Sequence, residues 1–171
     1  MQFILQTSRL ILRRFNNDEA DASLLLSLNS QPEVLKYLHE PLLQDLDHAR
    51  DILQRIILPQ YENNLGRWAV HIKESKEFIG WCGLKFRPER KETDLGYRFL
   101  PSAWGQGYAT EAAKACLEYG LTTLQLERIN ACAHIENMAS LAVLQKIGMQ
   151  YTGDGIIDDC PVKCFVTVPS S

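Results

Sequence analysis

The sequence predicts a mixed α/β domain built on a mostly antiparallel sheet. Three successive runs between residues 66 and 100 alternate between apolar and polar residues, and this period of two is typical of strands. Short polar loops join the runs, as in an antiparallel meander. Runs with the 3.6-residue period of helices lie before and after them. The chain order (strand, helices, three strands, helix, strand, helix, strands) therefore indicates one mixed sheet, in a single domain over residues 1–171.

The first half of the chain is predicted to be mainly helical after an opening strand. Polar residues 16–18 supply an N-cap in front of an apolar helical run, and Pro59 ends or kinks the last helix of this half. The predicted elements are a strand at 7–15, a helix at 20–28, a short helix at 31–38 and a helix at 45–58.

The second half is predicted to alternate between strands and helices. The helix at 107–121 carries a broad apolar stripe, and Gly148 closes the helix that follows it. The predicted elements are strands from residue 66, at 78–86 and at 92–100, a helix at 107–121, a strand at 128–133, a helix at 137–147, and strands near 149–152 and 163–168.

Composition excludes several classes of protein. The 171 residues are 46% hydrophobic and 23% charged, which supports one ordinary core. The sequence has neither an apolar run near the length of a membrane helix nor a signal peptide, so we expect no membrane association. A net charge of −3 provides no basic stripe for nucleic acid. Five cysteines at irregular spacing, without a CxxC pair, predict reduced thiols in the cytoplasm and no metal site.

The segment at residues 101–112 carries the strongest chemical signal. A predicted strand ends there, a turn with Gly105 and Gly107 follows, and an amphipathic helix begins. Such a turn directs backbone N–H groups and the positive end of a helix dipole at one point, which suits a pyrophosphate. The glycines alone also fit a plain helix-entry turn. A dinucleotide-binding motif would need a third glycine where Thr110 stands, and no P-loop sequence occurs.

Residues 104–112, Trp-Gly-Gln-Gly-Tyr-Ala-Thr-Glu-Ala, resemble motif A of the GCN5-related N-acetyltransferases, the GNAT superfamily. The branch they resemble is the ribosomal-protein N-acetyltransferase (RimJ/RimL-like) group. Residues 7–13 are similar to the opening strand of that branch, 94–97 to its fourth strand, and 137–148 to its asparagine–serine helix. The resemblance extends over roughly residues 7 to 168.

The resemblance implies a GNAT fold, with about seven strands in a twisted sheet that is splayed in the middle and helices on both faces. It implies acetyl-CoA as donor, an amine as acceptor, direct attack in a ternary complex and no metal. The amides from Gly105 to Thr110 would cradle the pyrophosphate, and the backbone of Phe99 and Leu100 would pair with the pantetheine arm. The cofactor-binding residues that it implies are Phe99, Leu100, Trp104, Gly105, Gln106, Gly107, Tyr108, Ala109, Thr110, Asn137, Ser140 and Lys146.

Three residues are candidates for catalysis, each with a structural alternative. Ser140 would hydrogen-bond the departing sulfur, or else make a local hydroxyl–backbone bond in the first helical turn. Asp94 would take the proton of the amine, directly or through water, or else pair with Arg98 on the same face of its strand. Glu40 is a second carboxylate candidate, or else a solvated loop acid. The tyrosine that serves as acid in much of the family is not obvious in this sequence.

Two of the cofactor-binding candidates have helix-capping alternatives. Asn137 is the evident N-cap of its helix, a role compatible with contact to the pantetheine. Lys146 lies in the last turn of the same helix, where a cation is favoured by the helix dipole, and it is also a candidate contact to a cofactor phosphate.

The sequence leaves the acceptor open. An α-amine has a pKa of about 7.7 to 8.0 and a lysine one of about 10.4, so the lack of an unambiguous base favours an α-amine at a protein or peptide N-terminus. The alternatives are a small-molecule amine such as a polyamine or aminoglycoside, and a non-catalytic acyl-CoA-binding sensor domain. Dimers are common among similar proteins, so a homodimer stays open as well.

Overall fold

In the computed structural model, which describes residues 3–168, the chain forms one eight-stranded sheet with four α-helices. The strands are β1 (Phe3–Gln6), β2 (Leu10–Arg14), β3 (Gly66–Ile72), β4 (Phe78–Arg87), β5 (Glu92–Phe99), β6 (Asn130–His134), β7 (Gln150–Ile157) and β8 (Cys160–Val166). The helices are α1 (Glu19–Asn29), α2 (Leu46–Ile52), α3 (Tyr108–Glu118) and α4 (Met138–Lys146).

The sheet order is β1-β2-β3-β4-β5-β6-β8-β7, and every neighbouring pair is antiparallel except β5 and β6. β5 and β6 are parallel because α3 makes the crossover between them, as parallel neighbours require. This arrangement confirms the predicted mixed α/β, mostly antiparallel sheet.

The parallel pair is where the sheet opens. β5 and β6 meet at a single register position, Asp94 opposite Asn130, near the start of each strand. No pairing continues toward Phe99 and His134, where the two strands end. One side of the carboxyl-terminal half of β5 is therefore left without a strand partner, which is the predicted splay in the middle of the sheet.

Side-chain alternation places helices on both faces of the sheet. Tyr97 of β5 contacts Ser140 of α4, whereas the next residue, Arg98, contacts Asn29 at the end of α1. Because successive side chains of a strand point to opposite faces, α4 and α1 lie on opposite sides. Buried side chains from both layers form one continuous hydrophobic core, which includes Leu25 from α1 and Leu117 from α3.

The helix starts follow the polar caps in the sequence. Asp18 accepts a hydrogen bond from the Asp21 amide, Asp45 one from the His48 amide, and Asn137 one from the Ser140 amide. These bonds satisfy N–H groups that the first turn of a helix leaves without partners. α3 begins differently, at Gly107 in the left-handed region with φ +83° and no side-chain cap.

Three predicted elements were wrong in extent or kind. The strand predicted at 7–15 is the second half of a hairpin, because the chain turns at Thr7, whose amide donates to the Leu10 carbonyl. This hairpin adds the eighth strand. The helix predicted at 31–38 is a series of turns with isolated bonds from Val34 to Gln31 and from Leu38 to Leu35. The helix predicted at 45–58 changes to π winding at Leu53–Ile57 and to 3-10 winding at Leu58–Asn63.

The elements after residue 100 differ from the predicted bounds by a few residues. The helix predicted at 107–121 is regular to Glu118 and ends in a π turn at Tyr119–Thr123. β7 and β8 form a longer hairpin than the runs near 149–152 and 163–168 predicted. No helix of the described part of the chain is long and apolar enough to cross a membrane.

Candidate active site

The turn between β5 and α3 lies beside the splay and presents a row of free backbone donors. The amides from Gly105 to Thr110 donate to no acceptor within residues 3–168, and the next amide, that of Glu111, begins the helical pattern by donating to the Gly107 carbonyl. Residues 104–107 are exposed. Free N–H groups at the start of an eleven-residue helix, together with its dipole, form an anion site.

The backbone of this turn requires glycine. Gly105 and Gly107 have φ of +75° and +83°, a region that L side chains rarely adopt. A Cβ on Gly105 would meet no heavy atom within 4 Å, whereas one on Gly107 would lie 3.3 Å from the Arg9 Nη2 atom. A cradle of unpartnered amides with no side chain above it fits the diphosphate of coenzyme A.

The β1–β2 hairpin holds this turn in place, which the sequence did not indicate. Arg9 donates from Nη1 to the Gln106 carbonyl at 2.9 Å and from Nε to Glu111 at 2.8 Å, and its guanidinium lies 4.5 Å from the centre of the Tyr108 ring. The Glu111 carboxylate also accepts hydrogen bonds from the Thr7 hydroxyl and the Arg9 amide. Arg9 and Glu111 are therefore positioning residues for the predicted pyrophosphate site.

The hydrogen bonds at the end of β5 leave fewer backbone groups for the pantetheine than the sequence predicted. The Leu100 amide donates to the Ile79 carbonyl at 2.8 Å, so it faces β4 and is not a free donor in the splay. The Phe99 carbonyl accepts from Trp104 Nε1 at 2.9 Å. By strand alternation the Phe99 amide faces the splay. Of the two residues predicted to pair with the pantetheine, only Phe99 therefore has an N–H group that faces the splay. The indole of Trp104 hydrogen-bonds to the Phe99 carbonyl.

Ser140 lies against a tyrosine that sequence reasoning missed. The Tyr97 and Ser140 hydroxyl oxygens are 2.7 Å apart, and the Asn137 side chain accepts from the Ser140 amide at 3.2 Å. Burial raises the pKa of the Tyr97 phenol, so that it stays protonated. The N-cap role of Asn137 is present, and Ser140 belongs to a hydroxyl pair at the splay. The clue in the sequence was that Tyr97 shares a strand face with Phe99.

Asp94 pairs with arginines other than the predicted one. Its Oδ2 accepts from Arg87 Nε and from Arg90 Nη2, the latter at 2.7 Å, so the same-strand Asp94–Arg98 pair was wrong. Its Oδ1 is buried without a hydrogen-bond partner in the described chain. Burial raises the pKa of Asp94 more than the arginines lower it. Asp94 therefore has one oxygen held by two arginines and the other buried without a partner.

Glu40 is a half-exposed loop acid, as the structural alternative predicted, and it also pairs with Arg98. Its Oε1 accepts from Arg98 Nη2 at 3.1 Å, and Arg98 also donates to the Asn29 side chain at 2.8 Å. Burial would raise the pKa of Glu40, but the charges of Arg98, Arg67 and Lys85 outweigh it, and the pKa is lowered. Glu40 lies beside the carboxyl end of β5, because the residue that it contacts, Arg98, immediately precedes Phe99.

The remaining predicted residues lie on α3 and α4. Lys146 is exposed in the last turn of α4, and Tyr108, Ala109 and Thr110 form the first turn of α3. No group of three or more His, Cys, Asp or Glu side chains in residues 3–168 is placed to hold a metal ion. The fold thus places the turn with free amides, the splayed strand edge and Glu40 near the carboxyl end of β5, whereas Asp94 lies toward the other end of that strand.

A splayed mixed sheet with free amides at the start of its crossover helix is compatible with an acyl-CoA-dependent transferase. The family model "Acetyltransferase (GNAT) domain" matches residues 9–150, and the chain belongs to this family of N-acetyltransferases, which use acetyl-CoA. An uncharacterized N-acetyltransferase, p20, of Bacillus licheniformis is 35% identical over 150 residues, which is 87% of this chain and 83% of the relative.

Two solved structures show the same fold at low identity. One is the ribosomal L7/L12 alpha-N-protein acetyltransferase RimL in complex with coenzyme A, with a TM-score of 0.82, 18% identity and 98% of each chain covered. The other is a spermidine N-acetyltransferase from Vibrio cholerae in complex with CoA and spermine, with a TM-score of 0.78, 19% identity, and 95% of this chain and 97% of that chain covered.

Proposed function

We propose that this N-acetyltransferase transfers the acetyl group of acetyl-CoA to the α-amine of a peptide or protein N-terminus, as a member of the RimJ/RimL-like branch. The observation that carries the donor site is the row of unpartnered amides from Gly105 to Thr110 beside the open edge of β5. RimL, which shares the fold, is an alpha-N-protein acetyltransferase.

The position of the carboxylates supports an α-amine acceptor. Asp94 lies five residues before Phe99, which is roughly 16 Å along a strand at about 3.3 Å per residue. A proton would have to cross that distance through water, and the nearer carboxylate, Glu40, has a lowered pKa. A lysine would require deprotonation by about 3 pH units, roughly 4 kcal/mol, at neutral pH, whereas an α-amine is already partly neutral.

Each polar group at the splay has a task in this proposal. Acetyl-CoA, when bound, supplies the activated thioester carbonyl. The amides from Gly105 to Thr110 bind the diphosphate, and the Phe99 amide polarises the thioester oxygen. The Tyr97–Ser140 hydroxyl pair donates a proton toward the departing sulfur. Asp94, through water, accepts the proton that the amine loses.

A small amine such as spermidine is the second candidate acceptor, since a spermidine N-acetyltransferase shares the fold. The family assignment favours either enzyme over a non-catalytic acyl-CoA-binding domain. A homodimer and a cytoplasmic location stay predictions from the sequence.

Thermal unfolding with and without acetyl-CoA tests the donor site. At about 100 times Kd, one-site binding adds roughly 2.7 kcal/mol, which raises the Tm of a domain of this size by about 5 to 10 °C. Thiol release with a pool of unblocked peptides, with the same peptides carrying blocked N-termini, and with spermidine then tests the acceptor.

The outcomes separate the parts of the proposal. A shift in Tm with thiol release only from unblocked peptides supports it. A shift with release only from spermidine replaces the acceptor, and a shift without any release indicates a binding domain. An unchanged Tm, repeated with coenzyme A, would mean that the turn at Gly105–Thr110 is a helix entry and nothing more.

A further inference from the structure

The sheet face opposite Ser140 carries more positive than negative charge. Cations there come from three strands and one loop. Arg98 pairs with Glu40, Arg87 with Asp94 and Glu89, and Arg90 with Asp94 and Glu92. The cations on or beside this face are Arg67, Lys85, Arg87, Arg90 and Arg98.

Arg67 stands out because its charge has no partner. No carboxylate lies within 4.0 Å of its guanidinium in residues 3–168, and its side-chain nitrogens make no hydrogen bond there. The guanidinium lies 4.7 Å from the centre of the Trp81 ring, and Arg98 lies 5.4 Å from the same ring. Burial, and then the charge of Arg98, lower the pKa of Arg67 to about 10. The Arg67 side chain is only partly exposed, and Glu40 acts on it from beyond salt-bridge distance, so its charge is incompletely compensated.

Trp81 supplies a second unsatisfied donor at the same place. The residue is 7% exposed, and its indole N–H is buried without a partner in the described chain. Trp81 lies opposite Arg98 in the sheet, and its ring covers Gly96, where an added Cβ would lie 3.5 Å from the ring. Trp81 therefore lies on the strand next to β5, and Arg67 reaches its ring from β3, one strand further from the splay.

We infer that Arg67, stacked on Trp81, binds a carboxylate carried by the acceptor within a few bonds of its amine. The inference rests on the proposed function and specifies its substrate class. The planar guanidinium matches a carboxylate with two parallel N–H donors, and an occupant of this kind would supply the missing counter-charge. A peptide with Asp or Glu in its first two residues carries this chemistry, and so does a free amino acid. A polyamine would be repelled by the positive charges of Arg67 and Lys85, which have no salt-bridge partner in the described residues.

Paired acceptors test the inference in the intact enzyme. The first pair is Ser-Glu-Gly-Gly amide and Ser-Gln-Gly-Gly amide, which differ by one charge at nearly constant shape. The second pair is alanine and alaninamide, and spermidine is the cationic comparison. Each is assayed with the wild type, with Arg67→Gln and with Arg55→Gln. The last variant removes one exposed cation, which pairs with Asp51 in the helical segment that begins with α2.

We expect the wild type to prefer the Glu peptide over the Gln peptide by about 10- to 100-fold in kcat/KM, mainly through KM. Arg67→Gln should abolish the preference, so that the ratio of kcat/KM between the Glu and Gln peptides approaches one, and should leave the Tm shift with acetyl-CoA unchanged. Arg55→Gln should retain the preference. Comparing each acceptor between wild type and Arg67→Gln cancels the difference in amine basicity between alanine and alaninamide, so the second pair shows whether a free amino acid is the source.

The Tm of unliganded Arg67→Gln is measured alongside, so that loss of folding does not confuse the test. The inference is wrong if neither carboxylate-bearing acceptor is preferred, or if the preference survives Arg67→Gln. If no amine in the panel releases thiol although acetyl-CoA raises the Tm, the proposed transfer and the inference both fail. If amines react without regard to charge, only the inference fails.

Discussion

At the scale of single residues, two carboxylates near β5 have opposite electrostatic settings. Burial raises the pKa of Asp94 and leaves its Oδ1 without a partner. The pKa of Glu40 is lowered, despite partial burial, by Arg98 and its neighbours. A group that accepts a proton needs affinity for it, so Asp94 is the better base, whereas Glu40 better serves to hold Arg98 in place.

The pH dependence of kcat/KM distinguishes these roles. With an α-amine acceptor, log kcat/KM should fall with slope one below a pH of about 8, because the amine becomes protonated. Protonation of Asp94 should add a second unit of slope below its raised pKa. We expect Asp94→Asn to lose this second unit and Glu40→Gln to retain it. Identical profiles for wild type and Asp94→Asn would remove Asp94 as the base.

At the scale of elements, the turn into α3 must start a helix and also leave the first amides of that helix free, two requirements that compete. Gly107 starts the helix in a left-handed conformation, and its lack of a side chain leaves room for Arg9, which braces the turn. A conventional N-cap such as Ser or Asp would satisfy helix amides internally. This helix leaves them free instead, which is useful only if a ligand occupies them.

Gly107→Ala should therefore impair acetyl-CoA binding more than stability. The left-handed backbone costs an alanine about 1 to 2 kcal/mol, and the new methyl group approaches Arg9 Nη2. Gly148→Ala is the matched control, since φ there is +87° and a Cβ would meet nothing within 4 Å. Titration with acetyl-CoA should give a Kd raised at least tenfold for Gly107→Ala alone. Equal Kd values for the two variants would contradict the assigned role of the turn.

At the scale of the whole molecule, a buried ion pair joins the helical layer to the sheet. Arg13 of β2 donates to both oxygens of Asp21 in α1, at 2.7 and 2.8 Å, and both side chains are almost fully buried. Burial would raise the pKa of Asp21, but the hydrogen bonds and the charge of Arg13 lower it below its ordinary value of 3.8. This pair positions the layer that also carries Asn29, and Asn29 holds Arg98.

Asp21→Asn should destabilise the fold by about 3 to 5 kcal/mol at pH 7, because it leaves Arg13 buried without its counter-charge. The depressed pKa makes this stabilisation fully present above pH 3.8, and it is lost as the pH falls through the lower pKa of the folded state. Urea unfolding should therefore show the two proteins converging below pH 3.8. Asp47→Asn, in an exposed pair with Arg50, is the control and should change little. A constant difference down to pH 2 would contradict the assignment.

The open sheet itself could be predicted only with help from the resemblance. Period-two runs located β3 to β5, and polar caps located the starts of α1 and α4, because these signals lie within a few neighbouring residues. The β1–β2 hairpin was missed because its turn has no glycine or proline signal. The helix predicted at 31–38 was wrong because tertiary contacts, such as the Leu43 amide bonding to the Asn29 carbonyl, direct that segment.

The sequence by itself determined the mixed sheet, the glycine turn at 105–107 and the family resemblance, because local periodicity and short motifs encode all three. Only the tertiary structure decided how side chains far apart in the chain pair with one another. Tyr97 meets Ser140, Arg98 meets Glu40, and Arg67 remains unpaired beside Trp81. Such pairings depend on strand register and on which face each side chain occupies, and shifting a strand by one residue would exchange every one of them.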